Sequence, residues 1–271
     1  MWNLPCPHGR TKTVPSRRIA IIAAAIIGGL AVLVAGVWVL LAPIERLSHP
    51  SEPVEANVPT WSQQAALPPL WDDRTPGNIG LLTDPVWLDS LSAETGIPER
   101  ALTAYAGSAI AKNEFTSGCG IGWNTLAAIG YVESRHGTHG GSIIDEDGVT
   151  TPPIYGVILD GGDTANIPDT DGGAFDGLDD IDRAVGPMQF IPQAAANWLG
   201  DANADGVADA QNIDDAALAA AHYLCRAGGD LRTEEGWKRA IAAYNSAPSY
   251  LIKVAAKANE YLDAARANDE G

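Results

Sequence analysis

A chain of 271 residues has room for one or two domains. It carries 34 acidic against 17 basic side chains, a formal net charge of −17. That balance argues against nucleic acid as a partner and against loose adhesion to an anionic lipid surface.

The first feature along the chain is an apolar run, residues 19–42, without a single charge. At ~1.5 Å per residue it is long enough to cross a hydrocarbon layer of ~30 Å. Arg10, Lys12, Arg17 and Arg18 precede it, and no acidic residue does. The expectation is a single uncleaved anchor, with residues 1–18 in the cytoplasm and the remainder outside. A cleaved secretory signal is the alternative, although its apolar part is shorter, roughly 7–15 residues. Beyond the run stand all 34 acidic residues and 13 of the basic ones, a net −21 on the outer side. Cys6 falls on the inner side. Cys119 and Cys225 fall outside, where disulfides persist, and are expected to pair. Two separately buried thiols are the alternative.

Residues 43–83 are rich in Pro, Ser, Glu and Ala and read as an extended stalk. A domain is expected over 84–271. Helical periodicity predicts helices at 85–93, 98–114 and 123–135. A stretch crowded with Gly, Asp, Pro and Thr follows, 138–185; loops that long are usually functional or disordered. Helices are expected again at 192–199, 213–227, 233–244 and 247–267. The expected fold class is all-α, with room for a short hairpin in the long loop.

The most informative residue is Glu133. Leu126, Ile129, Gly130 and Glu133 recur at i, i+3, i+4 and i+7, which puts them on one helical face. That face is apolar, so a carboxylate stands where a core residue would otherwise go. Burying it raises its pKa. Gly137 reads as the helix stop, which puts Glu133 in the last turn, near the negative end of the helix dipole. A carboxylic acid kept protonated near neutral pH can serve as a general acid. The bland reading is a helix-end glutamate paired with Arg135 or Arg183. His136 and His139 straddle Gly137 and read as loop residues, not metal ligands.

Four stretches, in order, resemble the lytic murein transglycosylases. They are Glu133-Ser134, the run Gly186-Pro187-Met188-Gln189-Phe190-Ile191-Pro192-Gln193, the turn Ala243-Tyr244-Asn245, and the segment Asp201 to Asn212. The resemblance is closest to the membrane-bound B type as it occurs in actinobacteria, and covers roughly Thr95 to Tyr261. It implies an all-α, lysozyme-like domain of the goose-type and soluble lytic transglycosylase kind, with a long loop insertion, following the anchor. It implies peptidoglycan glycan strands as substrate, and cell-wall machinery proteins as candidate partners. It further implies that Glu133 is the one catalytic acid and base, cleaving the bond between N-acetylmuramic acid and N-acetylglucosamine with formation of a 1,6-anhydro product. Ser134 would orient the acid or the substrate. Met188 and Gln189 would line the groove, and Tyr244 and Asn245 would hold the acetamido group. Phe190 reads as packing. No cofactor is implied for the chemistry.

The segment from Asp201 matches the start of a calcium loop. Oxygen side chains stand at positions 1, 3, 5 and 9 (Asp201, Asn203, Asp205, Asp209), Gly206 at position 6, and Val207 would offer a carbonyl. Asn212 replaces the bidentate glutamate of position 12, and Asp214 or Asp215 is the candidate to compensate. The expectation is a weak structural Ca2+ site; the alternative is an Asx-rich turn before a helix. A second acidic cluster runs from Asp169 to Asp182. It could hold a cation or be a solvated loop, and Asp180 or Asp182 as a second catalytic carboxylate would instead permit hydrolysis. Three functions therefore stand at this point: a lytic transglycosylase, a hydrolytic muramidase, and a non-catalytic peptidoglycan-binding scaffold.

Overall fold

The computed structural model describes residues 58–75, 77–115, 118–161 and 166–270. The expected anchor, 19–42, lies outside them. Among the described residues no helix is long and apolar enough to cross a membrane.

The helices fall where periodicity puts them, within three residues at either end: α1 (Pro85–Thr95), α2 (Glu99–Phe115), α3 (Trp123–Ser134), α4 (Pro192–Trp198), α5 (Ile213–Gly228), α6 (Glu234–Tyr244) and α7 (Pro248–Glu270). Local chemistry sets several boundaries. Asp84 caps α1 by accepting from the Val86 N–H at 2.8 Å, Pro85 opens the first turn, and Gly96 closes the helix at φ 69°. Asn212 caps α5 and Thr233 caps α6 in the same way.

Helix α3 departs from the one-faced pattern. Every residue from Trp123 to Gly130 is buried. It is the central helix, with α2 and α7 packed against it, and α5 joins α2 to α6. The alanines 216, 217, 219, 220 and 221 of α5 are all buried, so small side chains set the close approach of its neighbours. Trp123, Trp237 and Tyr105 are the largest enclosed side chains. The Trp237 indole donates to Thr125 Oγ1 at 3.1 Å, which satisfies its one polar atom.

Two expectations need correction. First, the fold is mostly helical, but the long loop holds two short ribbons and not one hairpin. Strands β1 (Ile143–Ile144) and β2 (Thr150–Thr151) form one antiparallel ribbon, and β3 (Tyr155–Ile158) and β4 (Arg183–Val185) form another. Residues 138–185 were too rich in Gly and Pro for a period-2 signal to emerge. Second, residues 61–83 are not a stalk. Asn124 of α3 accepts from the Ala65 N–H at 2.9 Å and donates to the Gln63 carbonyl at 2.9 Å. Gln64 accepts from the Gly122 N–H. Ile79 and Leu82 pack with Ile110, Ala111 and Ala202. These partners are scattered along the sequence, so composition alone could not reveal them.

Cys119 and Cys225 are bonded, with Cα atoms 5.4 Å apart and 106 residues between them in sequence. The bridge ties the segment before α3 to the end of α5.

Candidate active site

The site is built at the C-terminal end of α3. The helix does not stop at Gly137. Arg135 is already left-handed at φ 53°, His136 follows at φ 60°, and Gly137 at φ 79°. The freed carbonyls are met by the Arg135 N–H on Tyr131 and the His136 N–H on Gly130, at 2.9 and 3.0 Å. Gly130 has a packing reason. A Cβ there would lie 2.0 Å from the Tyr105 hydroxyl, so α2 approaches α3 only because that side chain is missing.

Glu133 projects from this last turn and is partly buried. Neither arginine of the bland reading holds it. Arg135 donates to the Tyr131 hydroxyl, and Arg183 to the Asp176 carbonyl. Instead the Tyr250 hydroxyl donates to Glu133 Oε1 at 2.5 Å. Burial pushes the carboxyl up to about 7 from its ordinary 4.5, and the Tyr250 bond partly offsets the rise.

Tyr250 carries the site further. Its ring lies parallel to Tyr244, 6.4 Å between centroids and 8° between planes. The Tyr244 hydroxyl donates to the Met188 carbonyl at 2.7 Å. Met188 sits in a tight turn. Val185 and Phe190 exchange backbone bonds of 2.9 and 2.8 Å, closing Gly186, Pro187, Met188 and Gln189 between them. Gly186, at φ 80°, is required there, because a Cβ would lie 1.8 Å from the Ala210 carbonyl oxygen.

The expected substrate residues divide. Ser134 is buried; its hydroxyl donates to the Pro187 carbonyl at 2.6 Å and accepts from the Gly137 N–H at 2.8 Å. It fastens the end of α3 to the 186–189 turn, and Ser134 also borders the cavity that Glu133 lines. Met188 is fully enclosed, so its side chain packs in the core beneath the site and does not line a groove. Gln189 and Asn245 do line a cavity of about 710 Å³, together with Tyr244, Tyr223, Leu159 and Ile167. The Gln189 amide donates to the Gly186 carbonyl at 2.9 Å, and Asn245 accepts from the Ala247 N–H at 3.0 Å. Phe190 is buried beside Tyr244, as packing.

Glu133 does not line that larger cavity. It lines a second one of about 510 Å³ with Tyr131, His139, Lys253, Lys257 and Glu260. The two are linked through tyrosines: Tyr244 lines the larger cavity and stacks on Tyr250, which bonds Glu133, and the raised pKa makes Glu133 the candidate reacting group. Glu260 is a surface carboxylate paired with Lys257 at 2.7 Å. Asp182 is fully buried and accepts from the Thr170 N–H and hydroxyl at 3.1 and 2.7 Å; Asp180 is exposed, and neither lines either cavity. A second catalytic carboxylate among Asp180 and Asp182 therefore has no geometric support.

Sequence reading missed Tyr250. It stands six residues after Tyr244, in the first turn of a helix opened by Pro248. A tyrosine there was a usable signal, but only the fold brings it to a carboxylate 117 positions away.

The loop 201–209 is wound on its own oxygens. Asp201 accepts from the Asp205 and Gly206 N–H groups, Asp205 from Val207, and Asp209 from Gln211. Asp214 is taken by Arg100 in a two-point ion pair. Asp215 is fully buried and faces the loop, accepting from Ala202 and Asp209 at 2.7 and 2.8 Å. Burial, then the nearby Asp201 and Asp205, raise it to about 6 against two backbone bonds that lower it. Among the described residues the carboxylates that converge most closely are elsewhere, Asp169, Asp171 and Asp182.

A family model described as transglycosylase SLT domain matches residues 112–266. No curated protein and no solved structure matches the chain. The matched span contains α3, the 186–189 turn, the 201–209 loop and the Tyr244–Tyr250 stack.

Proposed function

Because the chain belongs to the transglycosylase SLT domain family, whose substrate is peptidoglycan and whose fold is lysozyme-like, we propose that Glu133 is the single acid and base of a lytic cleavage. The observation that carries the reading is the Glu133–Tyr250 pair at the end of a buried helix, with the carboxyl held near pKa 7. A group so placed is protonated often enough to donate and ionised often enough to accept.

In this reading Glu133 gives its proton to the glycosidic oxygen as the bond from C1 of N-acetylmuramic acid breaks. The substrate's 2-acetamido oxygen meets the positive charge developing at C1. The ionised Glu133 then takes the proton of the C6 hydroxyl, and O6 closes on C1 to give the 1,6-anhydro sugar. The proton count returns to its start and no water is consumed. The Tyr250 hydroxyl stabilises the ionised carboxylate between the two steps. Gln189 and Asn245 supply polar contacts along the cleft, and the Tyr244 ring offers an apolar face to a pyranose.

Digestion of purified peptidoglycan, followed by mass analysis of the released muropeptides, tests this. Products one water lighter than hydrolytic fragments, without a reducing end, are expected. Reducing ends would make the enzyme a muramidase, and glycan binding without cleavage would make it a scaffold.

Three further readings belong to the same proposal. The subtype is the membrane-bound B type, supported by the Gly186–Gln193 run. The 19–42 segment anchors the chain, holding the domain outside; the Cys119–Cys225 bridge fits an oxidising compartment. The 201–209 loop takes calcium weakly. Its oxygen donors suit a hard cation, and Asp215 adds a buried carboxylate crowded by Asp201 and Asp205. When bound there, the ion would neutralise these charges and stiffen the loop.

A further inference from the structure

His136 is a buried titratable group that the cleavage above does not use. It is 5 % exposed. Its Nδ1 lies 3.2 Å from the Tyr105 hydroxyl and its Nε2 lies 2.8 Å from the Tyr261 hydroxyl. A neutral imidazole has one donor and one acceptor nitrogen. One phenol accepts from the ring N–H and the other donates to the bare nitrogen, so both sides are satisfied. Charging the ring would turn both nitrogens into donors. Burial opposes that, and so does the Lys257 ammonium, which lies 4.2 Å from the Tyr131 ring centre and 5.6 Å from that of Tyr261. Together they push His136 down to about 3. The downward shift favours the neutral ring, whose one donor and one acceptor nitrogen match the two phenols.

Its backbone explains its use. Arg135 and His136 are consecutive residues with side chains at positive φ. Such a conformation persists only where its surroundings over-determine it. Here three helices do so. Tyr105 comes from α2, through the gap that Gly130 leaves. Tyr261 comes from α7. His136 hangs from the end of α3. Glu133 leaves that same turn, and its partner Tyr250 stands on the same α7 as Tyr261.

We propose that His136 is a positioning residue: clamped between Tyr105 and Tyr261, it fixes the left-handed exit from α3 and holds α3 against α7, so that Glu133 stays buried against Tyr250. This rests on the reading of Glu133 as the acid.

The test reads Glu133 directly, by carbon-13 titration of its carboxyl in the full chain. His136→Phe keeps a ring and removes both bonds; Tyr261→Phe keeps His136 and removes one. The other groups around Glu133 (Tyr244, Tyr250, Lys253, Lys257, Glu260, Arg135, His139) are untouched in either variant. A loosened helix end admits water. The Glu133 midpoint is then expected to fall by about 0.5 unit or more in both variants. The kcat on peptidoglycan is expected to fall about tenfold with KM within about twofold, inside the ~10²-fold that a misplacement of about 1 Å can cost. A midpoint that stays put or rises overturns the proposal, even if thermal stability drops, since that is what a purely structural histidine would give. If His136→Phe does not fold, Tyr261→Phe carries the test. If the wild type never cleaves the wall, the functional reading fails while the titration still judges the clamp.

Discussion

The phenol of Tyr250 and the carboxyl of Glu133 meet at 2.5 Å across a sequence separation of 117. One stands in the first turn of the last helix and the other in the last turn of the central one. Their bond opposes the effect of burial on Glu133, because a hydroxyl donor favours the ionised form that desolvation disfavours. The balance of the two leaves the group near pKa 7, so that both its protonated and its ionised forms are populated at neutral pH.

Tyr250→Phe removes the lowering influence alone. The Glu133 midpoint is expected to rise by about one unit, the scale of one hydrogen bond to a charged group. Cleavage should slow roughly ten- to hundredfold, because the base step then starts from a carboxylate that is harder to form. A pH profile of muropeptide release checks it. An unmoved high-pH limb would mean that the bond does not matter to the reaction. The direction is opposite to that expected for His136→Phe.

Glu133→Gln should abolish cleavage while stabilising the fold at neutral and alkaline pH. The sign follows from the raised pKa. The folded state prefers the protonated carboxyl, so that preference stabilises fully below about 4.5 and is lost as pH climbs through about 7. Above 7 the wild type keeps a charge in a partly buried place, at a cost of about 3 kcal/mol at most, less whatever solvent screening removes. Urea unfolding at pH 8 should favour the variant by up to that amount, and at pH 4 the two should converge. Equal stability at both pH values would show that Glu133 is not desolvated.

Gly186→Ala should destabilise strongly. The new Cβ would meet a backbone carbonyl at 1.8 Å, at a φ of 80° that side chains avoid. Overpacking costs about 1–3 kcal/mol and the left-handed strain adds about 1–3 more. The turn that presents Met188 and Gln189 should shift, so the rate should fall along with the melting temperature. A variant with wild-type stability would mean that the turn tolerates rearrangement.

Replacing both Cys119 and Cys225 by Ala should cost about 4–5 kcal/mol, the value expected when a loop of roughly 100 residues is no longer closed in the unfolded chain. Denaturant titration of the oxidised protein and of the double variant gives the difference directly. No difference would mean that the bridge does not form in solution.

Calcium at millimolar concentration should raise the melting temperature by a few degrees, corresponding to on the order of 1 kcal/mol for a dissociation constant of ~10⁻³ M. Asp201→Asn should remove the rise and leave basal cleavage intact. Magnesium should not substitute, because it needs a tighter octahedral set. A chain whose melting temperature ignores calcium has only an Asx-turn loop there.

What the sequence determined by itself is the local part. Each helix carries its own period and often its own cap, as Asp84, Asn212 and Thr233 show, and these act over one or two turns of chain. Glu133 was legible for the same reason: a carboxylate among apolar residues four apart is a local anomaly. The end of α3 was only half legible, since the stop falls at Arg135 and His136, where positive φ depends on Tyr105 and Tyr261 from other helices. The tertiary structure alone decided that Ser134 fastens to Pro187, that Met188 is enclosed, that residues 61–83 belong to the domain, and that Tyr250 meets Glu133. Those relationships join residues tens to more than a hundred positions apart. Periodicity carries no information about such pairings, because hydrogen-bond partners and close packing are chosen only once the helices have docked.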